Sequence, residues 1–271
     1  IHFIFQPAEE GGAGALKMIE DGLFQRFPCD EVYGVPNWPG LKVGQFVARA
    51  GPLMASSNEF CITIKGRGAH AALPHDGIDP VLIATHMVQA LQSIVTRNKK
   101  PIDTAVISVT QINAGSAINI IPETATLRGT VRTFDTAVLD MIEQRMGELA
   151  TQLPQAFNAT GELEFVRRYP ATVNHVEQTA FARGVVDIVG PDNVVELEPV
   201  MGAEDFSFML LERPGAYLFI GNGDGDHRES GHGLGPCTLH NPNYDFNDEL
   251  IPIGATFWTR LVERYLAPAG N

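Results

Sequence analysis

Residues 124–134 read TATLRGTVRTF. Side chains alternate across a β-strand, so Ala125, Leu127, Gly129 and Val131 share one face, while Thr126, Arg128, Thr130 and Arg132 share the other. One face is built to pack, and the other offers two guanidinium groups to solvent or to a ligand. Working outward, residues 58–66 (NEFCITIKG), 104–112 (TAVISVTQI) and 161–169 (GELEFVRRY) also read as strands. Residues 77–95 (GIDPVLIATHMVQALQSIV) carry helical spacing with a capping signal near Asp76 to Asp79, and residues 135–153 (DTAVLDMIEQRMGELATQL) read as a second helix. The resulting order, β-α-β-β-α-β, is that of a ferredoxin-like unit with four antiparallel strands and two helices on one face.

On either side of this unit the pattern is different. Ile1 to Phe5 reads as a short buried strand and Ala13 to Phe24 as a helix with Leu16, Ile19 and Leu23 on its apolar face. A Gly-rich turn joins them. After Tyr169–Pro170, residues 180–190 and 255–266 read as helices and 215–223 as a strand. The fold class expected is therefore α/β: a catalytic domain with a mostly parallel sheet flanked by helices, plus an inserted ferredoxin-like α+β lid. The catalytic domain is discontinuous, 1–53 and 170–271, and the lid covers 54–169. A chain that opens inside a strand-like run, without an initiator Met, reads as a piece of something longer.

Composition narrows the function. The 271 residues are 44% hydrophobic and 19% charged, enough apolar content for one large or two smaller domains. A net charge of -13, with basic residues grouped only at Arg97, Lys99 and Lys100, argues against nucleic-acid and membrane surfaces. The longest apolar stretch, Val81 to Val95, is interrupted by Thr85, His86, Gln89, Gln92 and Ser93, so it does not read as a membrane span. Cys29, Cys61 and Cys237 are widely spaced, which fits a reducing, cytoplasmic setting better than a disulfide framework.

Chemistry-bearing residues gather near the two ends. Glu9 and Glu10 fall just beyond the carboxyl end of the first predicted strand, where α/β sheets place their ligand loops. Adjacent carboxylates repel, and they suit either a solvated helix N-terminus or a pair in which one binds a divalent cation and the other handles a proton. His240 lies in a turn-rich segment, TLHNPNYDFND, and fits either a backbone-bonded loop imidazole or a metal ligand. His227 and His232, in a Gly-rich stretch, read as solvated loop residues. Glu204 and Asp205 read either as ligand-orienting groups or as a helix N-terminal acid pair. Met87, Val88, Leu91, Phe206 and Phe208 read as core.

Seven segments occurring in order, FQPAEEGGAGA, NWPGLKVG, GRGAHAALPHDGIDPV, SAINIIPETATLRGTVRTF, YPATVN, GAEDFS and LHNPNYDFND, resemble the M20 metallopeptidase family. The match is to its subgroup of N-acyl-amino-acid amidohydrolases, which includes the hippurate hydrolases, and it runs over essentially the whole chain. The resemblance implies a metal-dependent amidohydrolase that cleaves an N-acyl amino acid, with two divalent cations (Mn, Zn, Co or Ni). It implies that Glu9 is the general base, Glu10 and His240 are metal ligands, and His70 is a lid histidine that polarises the scissile carbonyl. It further implies that Asn119 and Arg132 hold the substrate carboxylate, and that the protein is a homodimer joined through the lid.

Two departures qualify these implications. The family carries further ligands in a segment upstream of FQPAEE, which would precede Ile1, and it has a ligand histidine where this chain has Pro36. Only the positions of Glu10 and His240 remain of five usual ligands. The chain by itself is therefore expected to be inactive or metal-free, and the alternative is a non-catalytic binding or dimerisation protein of the same fold.

Overall fold

The computed structural model describes residues 1–190, 192–224, 239–242 and 244–267. It divides into two compact units, one of residues 1–53, 172–200 and 205–271, the other of residues 54–171 and 201–204.

The second unit has the β-α-β-β-α-β order. Its strands are β1 (Ser57–Lys65), β2 (Ala105–Ala114), β3 (Thr124–Thr133) and β4 (Thr160–Tyr169). Its helices are α1 (Pro80–Ser93) and α2 (Thr136–Gln155). The sheet order is β4-β1-β3-β2, and every pairing is antiparallel. Ile62 sits opposite Leu127, so the apolar face of each strand meets that of its neighbour. Phe60, Ile62 and Ile64 of β1 and Leu127 and Val131 of β3 form one core with Ile83, Met87 and Leu91 of α1 and Ile142 and Met146 of α2. One sheet face thus carries both helices. A Cβ on Gly129 would lie 1.9 Å from the Ser108 carbonyl oxygen and 2.6 Å from the Phe60 ring, so only glycine fits at this point of β3.

Both helices start where side-chain caps allow. The Asp79 carboxylate accepts from the Val81 amide at 2.9 Å, and Pro80 occupies the first helical position without losing a needed hydrogen bond. Asp135 accepts from Ala137 at 2.7 Å and from Val138 at 3.2 Å.

In the first unit, Val32–Gly34 runs parallel to Gly215–Tyr217. Phe219–Gly223 lies between Asn37–Pro39, which is parallel to it, and Phe46–Val47, which is antiparallel. The helices Val176–Val189 and Leu250–Tyr265 pack on these ladders through Ala182, Val185, Val186, Phe257 and Leu261, against Phe46, Leu218 and Ile220. The arrangement is α/β, with short sheets of mixed sense covered by helices.

Three local expectations are corrected. Ile1 to Phe5 forms no strand, and Ile1, Phe3 and Phe5 are 69%, 76% and 89% exposed. A strand exists through its ladder, and no described residue pairs with this segment, so its apolar run stays outside a sheet. The helix expected from Ala13 to Phe24 is two pieces, Gly14–Glu20 and Leu23–Arg26, separated where Gly22 takes φ 89°. That left-handed conformation closes one helix and cannot continue it. The strand expected over 215–223 is likewise interrupted at Leu218, where the chain leaves one ladder and joins another.

Candidate active site

Glu9 and Glu10 sit on a tightly wound loop between Gln6 and the helix Gly14–Glu20. Ala8 and Ala13 have φ of 53° and 50°, a left-handed conformation that side chains other than glycine adopt at a cost of about 1–3 kcal/mol each. The Gly12 amide donates to the Ala8 carbonyl at 3.0 Å and the Gly11 amide to the Glu9 carbonyl at 2.7 Å. A Cβ on Gly14 would lie 1.7 Å from the Pro7 carbonyl oxygen, so the two limbs of the loop touch only because this residue is glycine.

Asp205 holds the loop from outside. Its side chain is fully buried, accepts from the Gln6 side-chain amide through one oxygen, and accepts from the Ala15 amide at 2.9 Å through the other. A carboxylate oxygen of Glu9 lies within 4.8 Å of one from Asp205. Glu204, the preceding residue in the chain, belongs to the second unit.

Glu10 meets His240. The imidazole Nδ1 lies 3.5 Å from the Glu10 Oε2, and both side chains are largely exposed. His240 has φ 66°, which turns the chain sharply. The segment that follows is fastened to the sheet. The buried Asn222 donates to the Asp245 carbonyl at 2.9 Å and accepts from the Asn247 amide at 2.9 Å. The Tyr244 hydroxyl donates to the Asn37 side chain. Burial is the largest influence raising the Tyr244 pKa, with the nearby Asp245 adding to it, so the hydroxyl stays a donor at neutral pH. Pro36, beside Asn37, offers its carbonyl to the Ile220 amide at 3.0 Å and has no side-chain atom able to bind a metal.

The other predicted residues lie in the second unit. His70 is in the short strand Ala69–His70, which pairs with Ile120–Ile121, and the Asn119 carbonyl accepts from the Ala71 amide at 3.0 Å. The Ala72 amide donates to His70 Nδ1 at 3.1 Å. In the neutral ring this fixes the proton on Nε2, leaving an outward-facing donor. Asn119 is exposed. Arg132, on β3, is partly buried, and burial lowers its pKa, opposed in part by the charge of Glu59. A partly desolvated guanidinium is a strong binder of a carboxylate, and it stays protonated throughout.

An acidic loop and a histidine loop thus meet within the first unit, and a partly desolvated arginine stands on the sheet of the second. Residues 1–264 match the peptidase family M20/M25/M40. The chain belongs to that family. It is 41% identical over 227 residues to an N-acetyl-L-cysteine deacetylase of Bacillus subtilis, covering 84% of this chain and 54% of the relative. It is 36% identical over 268 residues to a hippurate hydrolase of Campylobacter jejuni, covering 98% and 67%. A solved structure from Bacillus subtilis, titled a dinuclear metal-binding peptidase of the M20 family, superposes with a TM-score of 0.81 at 28% identity, covering 98% of this chain and 65% of that one. The chain therefore spans between about half and two thirds of the length of these M20 relatives.

Sequence reasoning missed Gln6 and Asn222 and left Asp205 open between two roles. Asp205 is a buried acceptor for the far ends of the acidic loop. Nothing local marked this burial, since Asp205 stands beside Glu204 and close to Ser207 as well as Phe206. Met87 and Leu91 are core, as expected, and Phe206 is buried. His227, His232 and Cys237 lie outside the described residues.

Proposed function

We propose that the chain is the main part of a metal-dependent amidohydrolase that cleaves the amide bond of an N-acyl amino acid. The observation that carries this reading is the meeting of Glu10 and His240, from opposite ends of the chain, at 3.5 Å. A carboxylate oxygen beside an imidazole nitrogen is a donor pair suited to Mn, Zn, Co or Ni, so these two residues fit as holders of a divalent cation. Such a cation supplies positive charge that activates water and polarises an amide carbonyl.

The remaining roles belong to the chain. Glu9 takes the proton from the attacking water and delivers it to the leaving amine. His70 donates from Nε2 to the oxygen on which negative charge builds. Arg132, with Asn119, holds the substrate carboxylate. Hydrolysis of benzoylglycine and N-acetyl amino acids by the natural protein, abolished by a chelator and restored by Mn or Zn, is the expected result. Binding of these compounds without turnover under any metal would remove the reading.

Arg132→Lys tests the substrate role. A lysine keeps the charge but loses the planar two-pronged donor. KM for an acyl amino acid is expected to rise roughly 10- to 100-fold, the range of a lost charge-assisted hydrogen bond. For the corresponding acyl amine, which has no carboxylate, KM should be unchanged. Equal effects on both compounds would argue against carboxylate binding.

A second reading, a non-catalytic relative, is favoured by Pro36. Two donors hold a transition metal weakly, since catalytic sites use about three or more protein ligands. The 271-residue chain by itself is accordingly expected to show little turnover. Pro36→His in the natural protein is expected to tighten metal binding if the position is a lost ligand. A variant that stays metal-free and inert would favour the non-catalytic reading.

We propose also that the protein forms a homodimer through the second unit. Strand β2 is a sheet edge whose sequence, AVISVTQINA, has no charged residue, and its Ile112 is 51% exposed. The opposite edge, β4, carries Glu162, Glu164, Arg167 and Arg168. Charges guard an edge against pairing, and their absence from β2 leaves it open to a second copy. Light scattering should give twice the monomer mass, and Ile112→Lys should halve it. A monomer at micromolar concentration would overturn the dimer. The free thiols of Cys29 and Cys61 suit a reducing, cytoplasmic setting, and no helix among the described residues is long and apolar enough to cross a membrane.

A further inference from the structure

We infer that Asp205 is a positioning residue, a buried clamp that fixes the Gln6–Ala15 loop and so aims Glu9. The inference rests on the amidohydrolase reading only for its catalytic consequence. Its structural half stands alone.

The loop is strained. Ala8 and Ala13 are both left-handed, and its internal hydrogen bonds include the short spans Ala8–Gly12 and Glu9–Gly11. A segment with two such residues relaxes unless its surroundings over-determine it. The ends are joined through Asp205, which lies far away in sequence and is fully buried. One carboxylate oxygen accepts from the Gln6 side chain and the other from the Ala15 amide at 2.9 Å. Gln6 lies ahead of the turn, before Pro7 and Ala8, and Ala15 is the second residue of the following helix, so a single rigid group sets the distance between the limbs. A buried carboxylate tolerates the loss of solvent only while its donors stay in place, which makes the two bonds mutually dependent. Both oxygens are needed, because both partners are donors. An asparagine in place of Asp205 keeps the shape but turns an N–H toward one of those donors.

The test uses the natural protein and reads hydrogen exchange in the absence of substrate together with steady-state kinetics. In Asp205→Asn the Gly11 and Gly12 amides are expected to exchange at least about tenfold faster, while amides of the Val176–Val189 and Leu250–Tyr265 helices keep their parent rates. Kcat should fall by roughly 10- to 100-fold with KM within about twofold, the pattern of a misaimed group rather than of weakened binding. Gln6→Met removes the other partner from a partly exposed position, so it reports even if Asp205→Asn fails to fold. It should reproduce the loop exchange, and the double variant should be no worse than the more affected single one. Parent rates of loop exchange in both variants would overturn the clamp. So would fast exchange spread evenly over the first unit, the mark of general destabilisation. If the parent protein has no turnover, the amidohydrolase reading fails by that result, and the exchange data still decide the clamp.

Discussion

Glu9→Gln is expected to lower kcat for an N-acyl amino acid by about 10²- to 10⁴-fold, the usual contribution of a positioned general base. Glutamine keeps the size and hydrogen-bonding reach of the side chain but cannot accept the proton. The Asp205 bonds to Gln6 and Ala15 and the close approach of Gly14 to Pro7 are untouched by the change. Metal affinity should change little, whereas Glu10→Gln, which alters the group beside His240, should weaken it. Parallel metal titration and turnover of the two variants separate the roles. Loss of metal in Glu9→Gln with retained turnover in Glu10→Gln would reverse the assignment. Kcat within threefold of the parent in Glu9→Gln would remove Glu9 as the base.

Leu127→Ala is expected to destabilise the second unit by about 2–5 kcal/mol. Leu127 is fully buried on β3, the strand held between β1 and β2, opposite Ile62 and Ile112. The cavity opens beneath both helices, where Ile83, Met87 and Ile142 are equally buried and have no room to follow the missing atoms. Urea unfolding followed by circular dichroism should show a lower midpoint with an unchanged slope. A control at Thr126, on the other face of the same strand, should change the unfolding free energy by less than about 0.5 kcal/mol when changed to Ser. An equal effect at the two positions would mean that the strand does not bury the face assigned to it.

The second unit was legible because its signals are local. Alternation in 58–66 and 124–134, helical spacing in 77–95 and 135–153, and the capping signal that ends at Asp79 each act within a few residues, and each agrees with the unit as folded. The same reasoning failed at Ile1 to Phe5. A run of β-prone apolar residues records a preference for a sheet environment, but a ladder needs a partner, and no described residue supplies one. It also overran Gly22 and Leu218, where one residue ends an element whose hydrophobic pattern continues.

For the site, the sequence by itself determined which chemistry was on offer: adjacent acids, a loop histidine and an arginine on a polar strand face. Family resemblance attached roles to them. Only the tertiary structure brought Glu10 against His240, because proximity between opposite ends of a chain has no local signature. Only it showed Asn222 tethering the histidine loop and Asp205 joining Gln6 to Ala15. A buried polar group has its meaning in its partners, and those partners are chosen by how the chain returns on itself, whereas alternation and capping are settled by neighbours along the chain.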